Sequence, residues 1–170
     1  MSPTAVSLDS GDLLVNALPG RIAGIDYGTV RIGIAITDPS QTIASPLENY
    51  NRRNEPLDRE RFQRLAKEER VACFVVGLPV HLHGGESQKS IEAREFGKWL
   101  GDATGVPVEF FDERFTSSEA EQYLAGAQLS KKKRKARLDK LAAQIMLTAY
   151  LEKQLAHPGG ANDPPRGLDE

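Results

Sequence analysis

Short apolar runs separated by polar segments restrict what this chain can fold into. The runs at 21–25, 31–37 and 72–77 are too short for buried helices and are typical of strands. The first two runs are joined by a short connection containing Gly28, which fits a hairpin. The run at 72–77 has no polar position, as expected of a central strand covered on both faces. Weaker strand patterns occur at 45–50 and 106–111.

Helical patterns separate and follow the later strands. We expect helices from Pro56 to about Arg70, from about Ser87 to Thr104, from about Ser118 to Gly126 and from about Lys135 to His157. The resulting order, β-β-β-α-β-α-β-α-α, predicts an α/β fold with a mixed sheet. Hairpins would join the leading strands, and crossover helices would join the later ones.

One domain accounts for most of the 170 residues. We expect an N-terminal extension that is partly disordered over 1–20, a folded domain over 21–157 and a disordered tail over 158–170, which is rich in Pro, Gly and Asp. The single cysteine excludes an intramolecular disulfide. No apolar run is long enough to span a membrane, and the N-terminus lacks the features of a secretory signal. We therefore expect a cytoplasmic protein without a membrane partner.

Charge is unevenly distributed, although the net charge is only −2. Each terminal segment carries −2, which leaves +2 for residues 21–157. Six of the seven residues at 131–137 are basic. We predict that Lys131, Lys132, Lys133 and Arg134 contact nucleic-acid phosphates. We also expect 127–134 to be a loop between helices that is mobile without substrate; the alternative is a solvated loop or helix start with no binding role.

Three acidic residues stand out by their positions. Asp26 ends the first strand, Glu113 follows the last strand, and Asp139 lies early in the last helix. Carboxylates delivered to one sheet edge by separate elements can converge and hold hard divalent cations. The alternative is that such residues are turn or cap residues, and we interpret Asp38, which precedes a proline, in that way.

Four segments resemble the signature blocks of one family. They are GIDYGTVRIGIAITD (24–38), VVGLPVHLHGGES (75–87), FFDERFTSSEAE (110–121) and LDKLAAQIMLTAYLE (138–152). Together they resemble the YqgF/RuvX family, the RuvC-like Holliday junction resolvase homologues that are also described as pre-16S rRNA nucleases. The resemblance implies a ribonuclease-H-like fold, a five-stranded mixed sheet flanked by helices. The loop His81-Leu82-His83-Gly84 departs from the polar sequence usual in the family.

The resemblance also implies a set of site residues. Asp26, Glu113 and Asp139 would be the catalytic residues and would bind two Mg²⁺ or Mn²⁺ ions. Thr29, Arg31 and Arg114 would contact substrate phosphates. For Arg114 the alternative is a salt bridge with Asp112.

The function implied is a metal-dependent nuclease that processes the precursor of 16S rRNA and acts as a monomer or weak homodimer. The alternatives are a Holliday junction resolvase acting on branched DNA and a non-catalytic nucleic-acid-binding regulator. The segment GIDYGT also resembles a phosphate loop of the sugar-kinase and actin superfamily. Those proteins enclose their nucleotide between two such domains, and this chain has room for one.

Overall fold

Five strands form one sheet in the order β3-β2-β1-β4-β5. The computed structural model describes residues 20–79, 86–113 and 130–156, without the side chains of 134–140. The strands are β1 (Arg21–Asp26), β2 (Arg31–Thr37), β3 (Ala44–Asn51), β4 (Val71–Leu78) and β5 (Val108–Asp112). β1–β2 and β2–β3 are antiparallel, whereas β1–β4 and β4–β5 are parallel. The predicted mixed, five-stranded, ribonuclease-H-like sheet is confirmed.

Helices cover both faces of the sheet. α1 (Glu55–Glu68) and α2 (Gln88–Thr104) pack on one face around Phe62 and Phe96. α3 (Lys131–Ala156) packs on the other face through Met146 and Leu147. β1, β2 and β4 therefore contribute alternate residues to two separate cores, as expected of strands buried on both faces.

Two glycines let α3 lie close to the sheet. A Cβ atom at Gly24 would lie 3.0 Å from the Cβ of Leu147, and one at Gly33 would lie 3.5 Å from the Cβ of Ala143. The helix therefore approaches β1 and β2 where these strands present no side chain. This contact fixes the middle of α3 against the strand that ends at Asp26.

The prediction of a loop over 127–134 is wrong for residues 131–134, because α3 already begins at Lys131. The hydroxyl of Ser130 accepts a hydrogen bond from the backbone N–H of Lys133 at 3.4 Å, which caps the first turn. Lysine and arginine also have good helix propensity, and here it outweighs the repulsion between like charges. The expected helix at 118–126, residues 127–129 and both terminal segments lie outside the described residues.

The helices of the described segments do not include one that is long and apolar enough to cross a membrane.

Candidate active site

Asp26 and Glu113 lie on the same face of the sheet, the face covered by α3. Side chains alternate along a strand, so a residue shares the face of residues two positions away. Ile22 belongs to the α3 core, and Asp26 lies four positions further along β1. Phe111 belongs to the same core, and Glu113 follows it by two positions. β1 and β5 thus deliver one carboxylate each to the same end and face of the sheet.

Gly77 provides the space through which these carboxylates approach each other. It lies in β4, between β1 and β5, and pairs with Phe111. A Cβ atom at Gly77 would lie only 2.3 Å from Oε1 of Glu113 and 3.1 Å from its Cγ. The Glu113 side chain therefore lies over the bare backbone of Gly77, on the side of β5 that leads to β1. Sequence analysis did not identify this role of Gly77.

The electrostatics of Glu113 reflect this position. The pKa of Glu113 is raised from 4.5 to about 7; burial is the largest cause, and the negative charge of Asp26 acts in the same direction. Asp112 adds a smaller effect of the same sign, whereas the positive charge of Lys89 opposes it. A half-buried carboxyl group next to a second carboxylate binds its proton tightly because ionisation places two negative charges side by side.

Asp139, the third predicted residue, belongs to α3, and its side chain is not among those that the structure describes. α3 packs next to Gly33, the strand partner of Asp26, through Ala143. The backbone of Asp139 precedes this contact by four residues, about one helical turn. Among the described side chains, no group of three His, Cys, Asp or Glu residues is placed to hold a metal ion. Of the three predicted metal-binding carboxylates, the structure therefore describes the side chains of two, Asp26 and Glu113.

A cleft of about 510 Å³ opens beside Asp26. Thr29 and Arg31, two of the predicted substrate contacts, line it together with Asp26. Lys89, from the first turn of α2, also lines it and was missed by sequence analysis. Nothing in the local sequence around Lys89 marks it, since its position depends on where α2 begins relative to the sheet.

The other predicted substrate contacts lie in the first turn of α3 or outside the described residues. Lys131, Lys132 and Lys133 are exposed in the first turn of α3. Arg134 belongs to the same turn, but its side chain is not described. Arg114 lies outside the described residues.

Asp38 is an acidic residue whose carboxylate stabilises a turn of its own segment. Its carboxylate accepts hydrogen bonds from the backbone N–H groups of Thr42 and Ile43 at 2.7 and 2.9 Å, and these bonds lower its pKa. The interpretation of Asp38 as a turn residue is confirmed. Glu113 differs from it because burial and a neighbouring carboxylate raise its pKa.

Comparison with known proteins agrees with this architecture. The model of the RuvX family, described as Holliday junction resolvase, matches residues 20–153. A protein of Rhodopirellula baltica named "Putative pre-16S rRNA nuclease" is 50% identical over 133 residues, which cover 78% of this chain and 77% of that protein. A protein of Koribacter versatilis with the same name is 39% identical over 139 residues, 82% of this chain and 91% of the relative.

Solved structures similar to this chain include T. thermophilus RuvC in complex with a Holliday junction substrate. That structure has a TM-score of 0.48 and 16% identity, and the match covers 81% of this chain and 96% of RuvC. The family match covers all five strands, α1, α2 and all but the last three residues of α3, and the first of these relatives is identical at half of the aligned positions. The chain therefore belongs to the RuvX family.

Proposed function

We propose that this protein is a divalent-metal-dependent nuclease that hydrolyses phosphodiester bonds in the precursor of 16S rRNA. The observation that carries the proposal is the convergence of Asp26 and Glu113 across Gly77, at the rim of an open cleft. The choice of substrate is supported by the relatives' name, "Putative pre-16S rRNA nuclease".

The chemistry of this pair fits a hard divalent cation. Both groups are carboxylates, and Mg²⁺ and Mn²⁺ prefer oxygen ligands. The negative charge of Asp26 raises the pKa of Glu113, so a cation bound to both would remove a repulsion that the metal-free protein contains. Asp26, Glu113 and Asp139 would hold two such ions. When bound, the ions would lower the pKa of the attacking water and stabilise charge on the leaving oxygen.

The remaining site residues would bind and orient the substrate. Thr29 and Arg31 line the cleft beside Asp26, so they are placed to contact the phosphate that is cleaved or its neighbour. Arg114 would also bind a phosphate of the substrate. The first turn of α3 would bind the sugar-phosphate backbone of the nucleic acid further from the acidic pair, through Lys131, Lys132, Lys133 and Arg134. Cleavage would leave a 5′-phosphate and a 3′-hydroxyl.

A four-way DNA junction is the second candidate substrate, favoured by the family's description as Holliday junction resolvase. Symmetric cleavage of a junction requires two active sites related by a two-fold axis. A monomer or weak homodimer, as the sequence analysis expects, would favour RNA processing, and a stable two-fold dimer would favour junction cleavage. Solution mass at the working concentration tests this distinction.

The function is tested by incubating the protein with precursor 16S rRNA and with a synthetic four-way junction, each in Mg²⁺ and in EDTA. Asp26→Asn is the test variant, and Asp102→Asn, an exposed aspartate on α2, is the matched control. We expect metal-dependent cleavage of the precursor by the wild type and by Asp102→Asn, and none by Asp26→Asn.

Other outcomes separate the alternatives. Preferential cleavage of the junction by a stable dimer would favour the resolvase function. Tight RNA binding without cleavage in any metal would favour a non-catalytic regulator. Full activity of a folded Asp26→Asn variant would contradict the proposed metal site.

A further inference from the structure

We propose that Lys89 is a substrate-binding residue, whose ammonium group binds a backbone phosphate at the α2 side of the cleft that contains Asp26. This inference rests on the proposed function and deepens it, because it defines how the nucleic acid crosses the site. Lys89 lies outside the four blocks that carried the family resemblance.

The position of Lys89 supports this role. Its side chain lines the same cleft as Asp26 and Arg31, and it is exposed. Its charge also acts on Glu113, which follows β5. Arg31 begins β2, and β2 and β5 lie on opposite sides of β1 in the sheet order. Arg31 and Lys89 thus bring two cationic side chains from different elements, β2 and α2, to the wall of the cleft that contains Asp26, an arrangement suited to binding more than one backbone phosphate.

Lys89 forms no salt bridge with a carboxylate of the described residues. Glu86, just before α2, pairs with Arg94. Glu92, which also lines the cleft, accepts a hydrogen bond from Gln88 at 3.3 Å. Both neighbouring acids are therefore engaged by other side chains.

Lys89 also occupies a position where a base opposes folding. The first turn of α2 contains no acidic residue, and the positive end of the helix dipole disfavours a cation there. The negative charge of a bound phosphate would offset both the positive charge of Lys89 and the positive end of the helix dipole. A role of Lys89 in stabilising the helix would not explain a base at this position.

The test compares Lys89→Met and Lys89→Arg with Lys98→Met, an exposed lysine on the same helix. Methionine keeps an apolar stem of similar length and removes the charge. Binding of a labelled 20-nucleotide single-stranded RNA is measured in Ca²⁺, which is expected to support binding without cleavage, over a series of salt concentrations. For Lys89→Met we expect weaker binding and a salt slope of log K reduced by about 0.7. Lys89→Arg and Lys98→Met should keep the wild-type slope.

A second readout separates substrate binding from an effect on the metal site. Mn²⁺ binding to the RNA-free protein is measured by calorimetry, and Lys89→Met should bind at least as tightly as the wild type because it loses a repelling cation. An unchanged salt slope, or a reduced slope accompanied by weaker Mn²⁺ binding, would overturn the proposal. If the wild type binds RNA but cleaves nothing and Lys89→Met still lowers the slope, the nuclease function fails while the binding site stands.

Discussion

The Glu113 side chain occupies the space that a side chain at Gly77 would need. A carboxylate beyond the end of β5 reaches towards Asp26 because the intervening strand, β4, is bare at this position. The catalytic arrangement that we propose therefore depends on a residue that contributes no side chain to it.

Replacement of Gly77 by alanine should abolish most of the activity at little cost in stability. The new Cβ would overlap Oε1 of Glu113, and this flexible side chain can move away without disturbing the sheet. Metal-dependent cleavage and Mn²⁺ affinity should fall, while the melting temperature in EDTA changes little.

The control is Gly101→Ala in α2, where a Cβ would meet nothing closer than 3.4 Å. That variant should keep full activity and gain up to about 1 kcal/mol from helix propensity. Wild-type Mn²⁺ affinity in Gly77→Ala would show that the position of Glu113 does not matter for metal binding.

The pKa of Glu113, raised to about 7, predicts a pH-dependent stability of the metal-free protein. The folded protein binds this proton more tightly than the unfolded chain does, so the stabilising effect is complete below about pH 4.5 and is lost as the pH rises through 7. Ionisation at high pH would cost on the order of 3 kcal/mol.

Glu113→Gln removes this titration. In EDTA its melting temperature should match the wild type near pH 4 and exceed it increasingly above pH 7. Mg²⁺ affinity of the wild type should rise with pH over the same interval, because binding must displace the proton. Glu68→Gln, on the exposed surface of α1, is the control. A melting-temperature difference that is constant with pH would refute the raised pKa.

The basic first turn of α3 predicts opposite effects on binding and on stability. Replacing Lys131, Lys132, Lys133 and Arg134 by alanine should reduce the salt slope of log K by up to about 0.7 per residue on single strands and about 0.9 on duplex DNA. The same change removes cations from a helix N-terminus, so the melting temperature should stay the same or rise. Lys67→Ala on α1 is the control. An unchanged slope would place the nucleic-acid interface elsewhere.

We expect a large loss of stability when Asp58, a buried carboxylate that pairs with the partly exposed Arg52, is removed. Asp58 is 3% exposed. It accepts a hydrogen bond from the Tyr50 hydroxyl at 2.7 Å and pairs with Arg52 at 3.5 Å. Arg52 in turn donates to the hydroxyl of Tyr27, the residue after Asp26, at 3.2 Å. Asp58→Ala should cost about 3–5 kcal/mol in urea denaturation.

The control for this pair is on the same helix. Glu60 pairs with Arg64 at 3.1 Å, but both side chains are more than half exposed. Glu60→Ala should therefore cost about 0.5 kcal/mol or less. Similar losses in the two variants would show that burial does not strengthen the Asp58 pair.

The local sequence predicted the elements of this fold well because the strands are short and clearly separated. Apolar runs around a glycine-containing turn predict β1 and β2, and Asp26 stands out because it ends the first of these runs. Gly77 and Lys89 could not be found in this way. Their roles depend on which strands are neighbours and where a helix begins relative to the sheet, which no local pattern specifies. α3 begins earlier than the sequence pattern predicts because the cap at Ser130 and the helix propensity of the basic residues outweigh the repulsion within the basic run.

The close contact of α3 with the glycines of β1 and β2 also sets a length scale for the substrate. The helix is fixed at Ala143, and Lys131 precedes it by twelve residues, or about 18 Å along the helix. At about 3.4 Å per nucleotide along one strand of a duplex, an oligonucleotide in the cleft would need roughly five further base pairs to reach Lys131. Affinity measured over a ladder of oligonucleotide lengths should therefore rise in a step, rather than smoothly, once the strand spans both contacts.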